Sequence, residues 1–354
     1  MINVLLFIEY ILKYLGIDFS VYGVYGQYVQ EILVYLIASL LILLAASLTI
    51  IIVIYIFRKY MADLQQRIGP NRVGPYGLLQ LIADALKIFG KEDIIPDRAD
   101  PLLFRFAPYI VFTFLVLSYL VIPYGNLFGL DLTFVNVKYT LLLLIAFSAI
   151  APIGEVIAGL SSGNKFSMLG ALRAAAQDLS YEIPMVISAL GVVVLLSGYG
   201  DSLNLANIAK YPWPLAILEP IGFFVFFIAM VAKMAVVPFD LPESESELVS
   251  GFNVEYSGLR FGIFYLGVFG SVFLASLFIS VVYLGGGSDF IFYGSGYIWL
   301  LIKAFIFMFI FLTLWIALPR IRVDKFMNFG WKILLPLSLI NLVWSVMLVG
   351  LGVL

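Results

Sequence analysis

The sequence predicts an all-α, polytopic membrane protein, and three observations support this. The 354-residue chain is 63% hydrophobic and only 12% charged, so most of its surface must face lipid. Apolar stretches of roughly 20 residues, the length at which a helix spans about 30 Å of hydrocarbon, recur along it. None alternates like a membrane strand, and a backbone in lipid must satisfy its hydrogen bonds within its own segment, so helices are expected.

We expect about eight transmembrane helices. Their approximate bounds are residues 32–57, 102–124, 139–160, 166–196, 215–237, 259–284, 297–318 and 328–354. Residues 1–30 are predicted to be an N-terminal interfacial extension with a short helix, because they lack the basic leading region and cleavage site of a signal peptide. Residues 31–354 then form one polytopic membrane domain.

The loop of residues 58–101 is predicted to contain a short amphipathic helix. After two Gly-Pro pairs, apolar residues recur at helical spacing and form one face about three turns long. These residues are Leu78, Leu79, Ile82, Leu86 and Phe89. Such a helix is too short to span the bilayer, and periodicity alone favours a helix that anchors the loop in the membrane interface.

The distribution of Lys and Arg indicates the orientation, because cytoplasmic loops collect them. They concentrate in the loop of residues 58–101 and in the last loop, at Arg320, Arg322 and Lys325. Both loops follow odd-numbered spans, as does an acidic loop at residues 236–258. These loops are therefore expected to be cytoplasmic and the N-terminus outside.

The acidic loop is the most unusual segment of the chain. Its sequence PFDLPESESELVSGFNVEY places five carboxylates between two long apolar runs, namely Asp240, Glu243, Glu245, Glu247 and Glu255. The simpler interpretation is a solvated turn whose acids dock a basic partner. The alternative is a loop that handles protons.

Several charged side chains fall inside the predicted spans. Each costs a few kcal/mol at the centre of a lipid-facing helix, so these groups should face protein or water, and such acids are candidates for a proton path. Asp178 and Glu182, four residues apart, share one helical face, whereas Arg173 is expected to pair with another span. The alternatives are neutralising pairs that hold helices together or, for Glu219 and Lys303, snorkelling to the interface. The full set is Glu155, Arg173, Asp178, Glu182, Glu219, Lys233 and Lys303.

The chain contains no Cys and no His. It therefore cannot hold an iron–sulfur cluster through thiolates and lacks the usual ligand of a membrane haem. Its sequence also has no phosphate-binding glycine loop, no HExxH motif and no nucleophile–histidine set. No catalytic residue, metal or haem is expected in this chain, and any electrons must be delivered by another subunit.

Four segments, in this order and between these spans, closely resemble the membrane subunit that lines the quinone chamber of proton-pumping respiratory complex I, the NADH:quinone oxidoreductase family. They are RIGPNRVGPYGLLQLIADALKIFGKE, LGALRAAAQDLSYE, PFDLPESESELVSGFNVEYSG and PRIRVD, and the resemblance runs from about Arg58 to Pro336. It implies a subunit of a quinone oxidoreductase and proton translocase, without activity in isolation. The expected location is the plasma membrane of a prokaryote or an equivalent energy-transducing membrane.

The resemblance also implies partners and a substrate. The partners are the peripheral-arm quinone-site subunit, the terminal iron–sulfur subunit, the small membrane subunits leading to the antiporter-like pumps, and lipid; no nucleic acid is expected. Quinone is the substrate, shared with those subunits. The electron donor lies in other chains, and NADH, a reduced ferredoxin and a deazaflavin all stay open, as do proton and sodium as coupling ion.

The resemblance and the span charges together give two sets of candidate residues. The quinone-chamber set is Arg58, Arg67, Asp84, Lys87, Phe239, Arg320, Arg322 and Asp324. The set for the proton path and coupling is Glu155, Arg173, Asp178, Glu182, Glu219, Lys233, Asp240, Glu243, Glu245 and Glu247.

Four positions depart from the family pattern. Lys233 and Val236 stand where a channel glutamate and an arginine are usual. Phe57 stands where a glutamate usually precedes the Arg-Lys pair, and Trp315 where an arginine usually precedes the PRxRxD loop. These four substitutions remove charges that the family usually carries or, at Lys233, reverse one.

Conversely, Glu155 and Asp178 are acids where the family's common residue is neutral. We hypothesise that acid function is redistributed, with Glu155 or Asp178 compensating for Lys233. The alternative is that the lysine marks altered or lost coupling.

Two further classes of function stay open. One is the membrane subunit of an energy-converting hydrogenase, which has no quinone; the complete GPNRVGPYGLLQ segment favours the quinone branch. The other is a secondary transporter acting alone, a class typified by internal repeats and broken helices, of which the sequence shows no clear sign.

Overall fold

The computed structural model describes residues 2–14, 24–127, 129–211, 214–288 and 296–352. It confirms an all-α fold, with one small sheet of strands β1 (Ile2–Asn3), β2 (Asn126–Leu127) and β3 (Leu130–Asp131). The helices are α1 (Val4–Tyr14), α2 (Val24–Leu64), α3 (Gln80–Phe89), α4 (Pro101–Val121), α5 (Thr140–Ser161), α6 (Lys165–Leu195), α7 (Leu205–Ile208), α8 (Leu215–Leu218), α9 (Pro220–Lys233), α10 (Glu245–Leu248), α11 (Gly258–Tyr283), α12 (Gly296–Ala317), α13 (Val323–Phe329) and α14 (Leu335–Gly350).

Seven helices of the described chain are long and apolar enough to cross a membrane. They are α2, α4, α5, α6, α11, α12 and the segment Val323–Gly350, in which a π-helical turn at Gly330–Leu334 joins α13 to α14. They match seven of the eight predicted spans.

The remaining predicted span, residues 215–237, is not one continuous helix as expected but two shorter ones. Helix α8 ends at Leu218, and the 14-residue helix α9 begins at Pro220. The residue before a proline is pushed out of the α-helical region, and Glu219 accordingly has φ −123° and ψ 64°. The bundle therefore contains a broken helix that the sequence did not reveal.

Helix α2 is much longer than predicted. Its 41 residues extend about 60 Å, twice the thickness of the hydrocarbon, and the helix runs through residue 30 without a break. Near its start, Ile8 and Leu12 of α1 pack against Val34 and Ala38. Strand β1 also pairs in parallel with β3, in the α4–α5 connection. The N-terminal segment is thus bound to the bundle through both a helix and a strand.

Helix α11 lies in the middle of the bundle and is its most buried span. It packs against α2, α4, α9 and α12. Small residues allow the close approach: a methyl group at Gly270 would lie 2.5 Å from Leu115 of α4 and 3.1 Å from Ile50 of α2. Helices α2 and α14 instead expose many Leu, Ile and Val side chains outward, as a lipid-facing surface does.

The charged loops meet at one end of the bundle, which we call the charged end. It comprises residues 65–100, 162–164, 234–257 and 318–322. Arg260, at the start of α11, pairs with Asp93 at 2.8 Å, and the Ile321 N–H donates to the Pro238 carbonyl at 3.1 Å. The basic loops and the acidic loop, predicted to share one membrane face, thus lie together. The small sheet lies at the opposite end.

Candidate functional site

Helix α3 is anchored to the bundle at the charged end by an ion pair. Arg58, near the end of α2, donates to the carboxylate of Asp84, and the Gln80 amide donates to the same carboxylate at 3.0 Å. Ile88 packs so closely on α11 that a methyl group at Gly262 would lie 2.9 Å from it. Two residues of the predicted quinone-chamber set, Arg58 and Asp84, are therefore in contact and fix α3 on α2 and α11.

The other side of α3 is apolar and exposed. The residues that the periodicity placed on one face are all exposed, and they are Leu78, Leu79, Ile82, Leu86 and Phe89. Ile68 and Tyr76, in the turns that precede α3, are exposed as well. An apolar surface of this extent is typical of contact with lipid, a ligand or another protein.

Four other charged members of the quinone-chamber set are solvent-exposed at the charged end. Arg67 bonds locally to the Gln65 side chain, and Lys87 is exposed on α3. Arg322 and Asp324 pair with each other at 3.1 Å and are mostly exposed. None of these four contacts the Arg58–Asp84 pair in the described structure.

Glu247 fastens the acidic loop to two arginines. Arg173 of α6 donates to the Glu247 carboxylate, and Arg320 lies 3.7 Å from it. The same guanidinium groups also contact Ser244 at 3.4 Å and Ser246 at 3.2 Å. The hydrogen bond from Arg173, with Arg320 beside it, lowers the pKa of Glu247 from its ordinary value. Arg173 therefore pairs with the loop and not, as the sequence suggested, with another span.

Other acids of the loop also bond within the chain. The Asn253 amide donates to Glu243 at 2.6 Å, and the Asn164 amide donates to Glu255 at 2.6 Å. The side chain of Glu245, at the start of α10, lies outside the described residues. The loop is thus an ordered part of this chain, which the interpretation as a solvated turn does not predict.

Close backbone contacts hold the loop against α6. A methyl group at Gly170 would lie 2.7 Å from the Phe252 nitrogen, and the Ser167 hydroxyl donates to the Phe252 carbonyl at 3.1 Å. Gly251 has a φ of 57°, and a methyl group there would overlap the Pro242 carbonyl oxygen. Only glycine fits this turn.

Phe239, predicted for the quinone chamber, is buried in an aromatic cluster. Its ring lies 5.7 Å from Tyr181 of α6 and 4.9 Å from Phe326 of α13, and the Tyr181 hydroxyl donates to the Phe326 carbonyl at 3.0 Å. Asp240, the next residue, is half-buried. The start of the loop is thereby attached to two membrane helices.

Lys233 is the centre of a charged cluster inside the bundle. It is the last residue of α9, its side chain is 15% exposed, and its Nζ lies 3.5 Å from Glu182 Oε1. Asp178 lies one helical turn from Glu182 on α6. Glu155 of α5 lies on another side of Lys233. Lys233 therefore pairs with Glu182, while Asp178 lies on the same face of α6 and Glu155 borders a cavity that Lys233 also lines.

Two cavities meet at Lys233. The larger, about 60 Å³, lies between α4, α5, α9 and α11; its lining is mostly apolar but includes Glu155, Lys233 and Ser148. The smaller, about 10 Å³, is lined by Asp178, Glu182 and Lys233 together with Gln177. A water molecule needs roughly 10–15 Å³ and polar partners, so the first has room for several and the second for about one. Lys233 thus lines two cavities that are mostly apolar, with ionisable side chains at the border of each.

Two of the departures from the family pattern are in direct contact. The ring of Phe57, on α2, stacks on Trp315 of α12 with centroids 4.5 Å apart, and both rings lie near Phe269 of α11. The sequence resemblance leads us to expect an acid at the first position and an arginine at the second. An aromatic stack therefore lies where two opposite charges were expected.

Lys303 and Glu219, the two charged residues expected near span ends, lie outside the Lys233 cluster and have different surroundings. Lys303 donates to the carbonyls of Leu284 at 2.7 Å and Gly286 at 3.0 Å, beyond the C-terminal end of α11, where a cation is favourable. Glu219 is fully buried at the α8–α9 break and bonds to Ser345 and Asn341 of α14. Snorkelling is therefore excluded for Glu219.

Several polar residues of these sites were not predicted from the sequence. Gln177 donates to the Ala232 carbonyl at 2.6 Å beside the Lys233 cluster. Asn341 and Ser345 are four residues apart within an apolar span, which places them on one face of α14. That spacing was the only sequence signal for Asn341 and Ser345.

These features define a class of protein: a polytopic membrane protein in which a cluster of half-buried ionisable groups adjoins an acidic loop. The chain matches the NADH dehydrogenase family model over residues 37–346, which is most of its length. It belongs to that family, as a membrane subunit of the complex I type, and the resemblance seen in the sequence is confirmed. Helix α1 and the first part of α2 precede the matched region.

At the Phe57–Trp315 stack, a single introduced charge should be more destabilising than two opposite charges introduced together. Phe57→Glu alone should destabilise the chain by about 3–5 kcal/mol, because it leaves a buried charge without a partner. Adding Trp315→Arg should recover at least about 1 kcal/mol beyond the sum of the single changes. The stability of the four proteins in a double-mutant cycle, measured by thermal unfolding in lipid, checks this. Phe57→Leu is the control for lost ring packing, and equal losses for Phe57→Leu and Phe57→Glu would contradict the interpretation.

Acid should release the loop from its arginines. Because the folded-state pKa of Glu247 is lowered, its contribution is complete above the ordinary glutamate range and is lost as the pH falls through the lowered value. Glu247→Gln should mimic acid at neutral pH. Amide hydrogen exchange of residues 240–257 should rise only a few-fold, since an exposed ion pair contributes about 1 kcal/mol or less. Asp324→Asn, at the exposed pair with Arg322, is the matched control. Equal exchange in wild type, Glu247→Gln and Asp324→Asn would show that the contact of Glu247 with its arginines does not hold the loop.

Proposed function

We propose that this chain forms the entrance of a quinone chamber together with peripheral-arm subunits and couples quinone reduction to proton translocation. The coarser statement, a membrane subunit of a complex I-type oxidoreductase, follows from family membership. The finer one rests chiefly on the position of Lys233, which lines two cavities bordered by carboxyl groups and directly precedes the acidic loop.

The quinone part of the proposal is supported by α3. Quinones are amphiphilic, with a lipid-soluble tail and a polar head group, and they reach their site from the bilayer. The exposed apolar face of α3 would lie in the membrane interface, while Arg67 and Lys87 provide exposed positive charge in the same segment. With no Cys or His of its own, the chain relies on a partner's iron–sulfur cluster for electrons.

The coupling part is electrostatic. Reduction of a quinone takes up protons as well as electrons, so it changes the charge at the chamber and acts on nearby ionisable groups. The nearest such group in the acidic loop is Glu247, which contacts Arg173 of α6 and Arg320 of the α12–α13 connection. A change in these contacts acts on α6 through Arg173. Asp178 and Glu182 lie on the same helix, one and two turns further on.

The cluster around Lys233 suits the transfer of protons. One ammonium group cannot neutralise three carboxylates, so the cluster accommodates exchangeable protons as its surroundings change. Two cavities with room for water connect Lys233 to Glu155 on one side and to Asp178 and Glu182 on the other. This arrangement favours redistribution of acid function over loss of coupling, because each of the two extra acids lines a cavity with the lysine that stands in place of the expected glutamate.

The composition of the native complex tests the class. Solubilised with a mild detergent and purified through a tag on this chain, it should contain iron–sulfur subunits and extractable quinone. Nickel without quinone would identify an energy-converting hydrogenase instead. Recovery of this polypeptide alone, with transport activity, would favour a secondary transporter.

Substitutions in the cluster test the coupling. Glu155→Gln and Asp178→Asn should each reduce the protons translocated per electron several-fold while electron transfer to quinone continues, because each removes one exchangeable proton site. Adding Lys233→Glu to either variant should restore part of the loss, since it returns an acid to the usual position. Proton uptake by vesicles containing the complex is the measurement.

The matched control is Asp201→Asn, an exposed acid at the opposite end of the bundle. It should leave the ratio unchanged. If neither Glu155→Gln nor Asp178→Asn alters the ratio, acid function has not been redistributed to these residues.

A further inference from the structure

The break between α8 and α9 encloses a carboxyl group inside the bundle. Glu219 is fully buried, and its side chain does not cap the helix that it precedes. It turns instead to α14, where the Ser345 hydroxyl contacts Oε1 and the Asn341 amide donates to Oε2 at 3.3 Å. The Asn341 oxygen in turn accepts from the Gly222 N–H at 2.9 Å and so caps α9 from another helix.

The surrounding backbone leaves space for these polar side chains. A methyl group at Gly191 of α6 would lie 3.0 Å from both Glu219 oxygens and 2.7 Å from the Asn341 amide nitrogen. A methyl group at Gly222 would lie 2.5 Å from the same nitrogen. The absence of side chains at Gly191 and Gly222 thus leaves room for the carboxyl and amide groups within an otherwise apolar region.

The Ser345 hydroxyl lies near two oxygen atoms that could accept its single proton. Its oxygen lies within hydrogen-bond distance of Glu219 Oε1 and, at 2.9 Å, of the Asn341 carbonyl. A hydroxyl donates only one proton. If Ser345 donates to Asn341, its contact with Glu219 is a hydrogen bond only when the carboxyl group donates. If Glu219 is ionised, the hydroxyl must turn to it and leave the carbonyl of Asn341.

The charges around Glu219 favour the first arrangement. Among the described residues Glu219 forms no salt bridge, and the titratable side chain that faces it is Tyr283 of α11, whose hydroxyl donates to the Ser188 carbonyl at 3.1 Å. The helices packed at the site, α6 and α14, otherwise present Gly191, Asn341 and Ser345. The N-terminal end of α9 offers partial positive charge, but burial of a lone ion costs more than such a dipole returns.

We propose that Glu219 is a proton-binding site, separate from the Lys233 cluster, whose proton fastens α9 to α14. With the proton present, Glu219 donates to Ser345, and Ser345 donates to the carbonyl of Asn341. When the proton leaves, the Ser345 hydroxyl turns to the carboxylate, and the main-chain carbonyl of Asn341 keeps only its helical N–H partner. A charge without a salt bridge is then buried between α9 and α14, and its cost weakens their packing. The proposal does not depend on quinone chemistry.

The position of the site gives this proton a route to the rest of the molecule. Glu219 directly precedes α9, and Lys233 is the last residue of that helix. Fourteen residues span about 20 Å, so a single rigid helix has an ionisable group at each end. A change in how α9 is held at Glu219 therefore acts on the position of Lys233.

Infrared spectroscopy of the purified complex in lipid nanodiscs tests the proton directly. The wild-type minus Glu219→Gln difference spectrum should contain the carbonyl stretch of a protonated carboxylic acid, and that band should shift in Ser345→Ala because its hydrogen-bond partner is gone. Glu219→Gln keeps the size of the side chain and a donor to Ser345, so folding should be retained. Asp201→Asn should leave this spectral region unchanged.

Amide hydrogen exchange of residues 335–350 tests the switch. In wild type, exchange corrected for the intrinsic rate should increase several-fold over the pH range in which the infrared band disappears. In Glu219→Gln it should not. A difference spectrum without the carboxylic acid band at every pH would overturn the proposal, and so would a band whose loss leaves exchange in α14 unchanged; either result would reduce Glu219 to a structural contact.

Discussion

The contact between Lys233 and Glu182 is the interaction on which the charged half of this bundle depends. A charge taken out of water is tolerated only when a partner and further polar groups compensate it. Lys233 lies where α9 ends and the acidic loop begins, so this pairing fixes both the helix and the start of the loop against α6. Gln177, which donates to the carbonyl of Ala232 just before Lys233, makes a second attachment at the same place. The loop then returns to α6 through Arg173.

The departures from the expected family pattern differ in their surroundings. At Phe57 and Trp315, where the resemblance predicts an acid and an arginine, an aromatic stack fills the space, as a buried ion pair can be replaced by well-packed apolar groups without loss of stability. At Lys233, where it predicts a glutamate, Glu182 pairs with the lysine and Asp178 lies one turn away on α6. The first site therefore holds no charge, whereas the second holds a charged cluster.

Much of the fold could be predicted from the sequence, because the length and periodicity of apolar runs follow from the bilayer itself. Seven spans, the helix α3 and the meeting of the charged loops at one end were all accessible in this way. The broken helix was not, since hydropathy averages over Glu219 and Pro220 and cannot register one residue outside the α-helical region. The partners of Arg173, Phe57 and Glu219 were equally inaccessible, because each contact joins residues more than 70 positions apart in the chain.

The break at Glu219 also changes how the fifth predicted span, residues 215–237, is to be understood. A continuous helix over residues 215–237 would satisfy its own backbone and would need no partner at its centre. The broken helix leaves N–H groups at the start of α9 inside the bundle, and unsatisfied donors there are costly. Asn341 supplies the oxygen for one of them, at Gly222, and the same residue contacts Glu219. The cap of α9 and the carboxyl group are thus held by one side chain, so neither can move without the other.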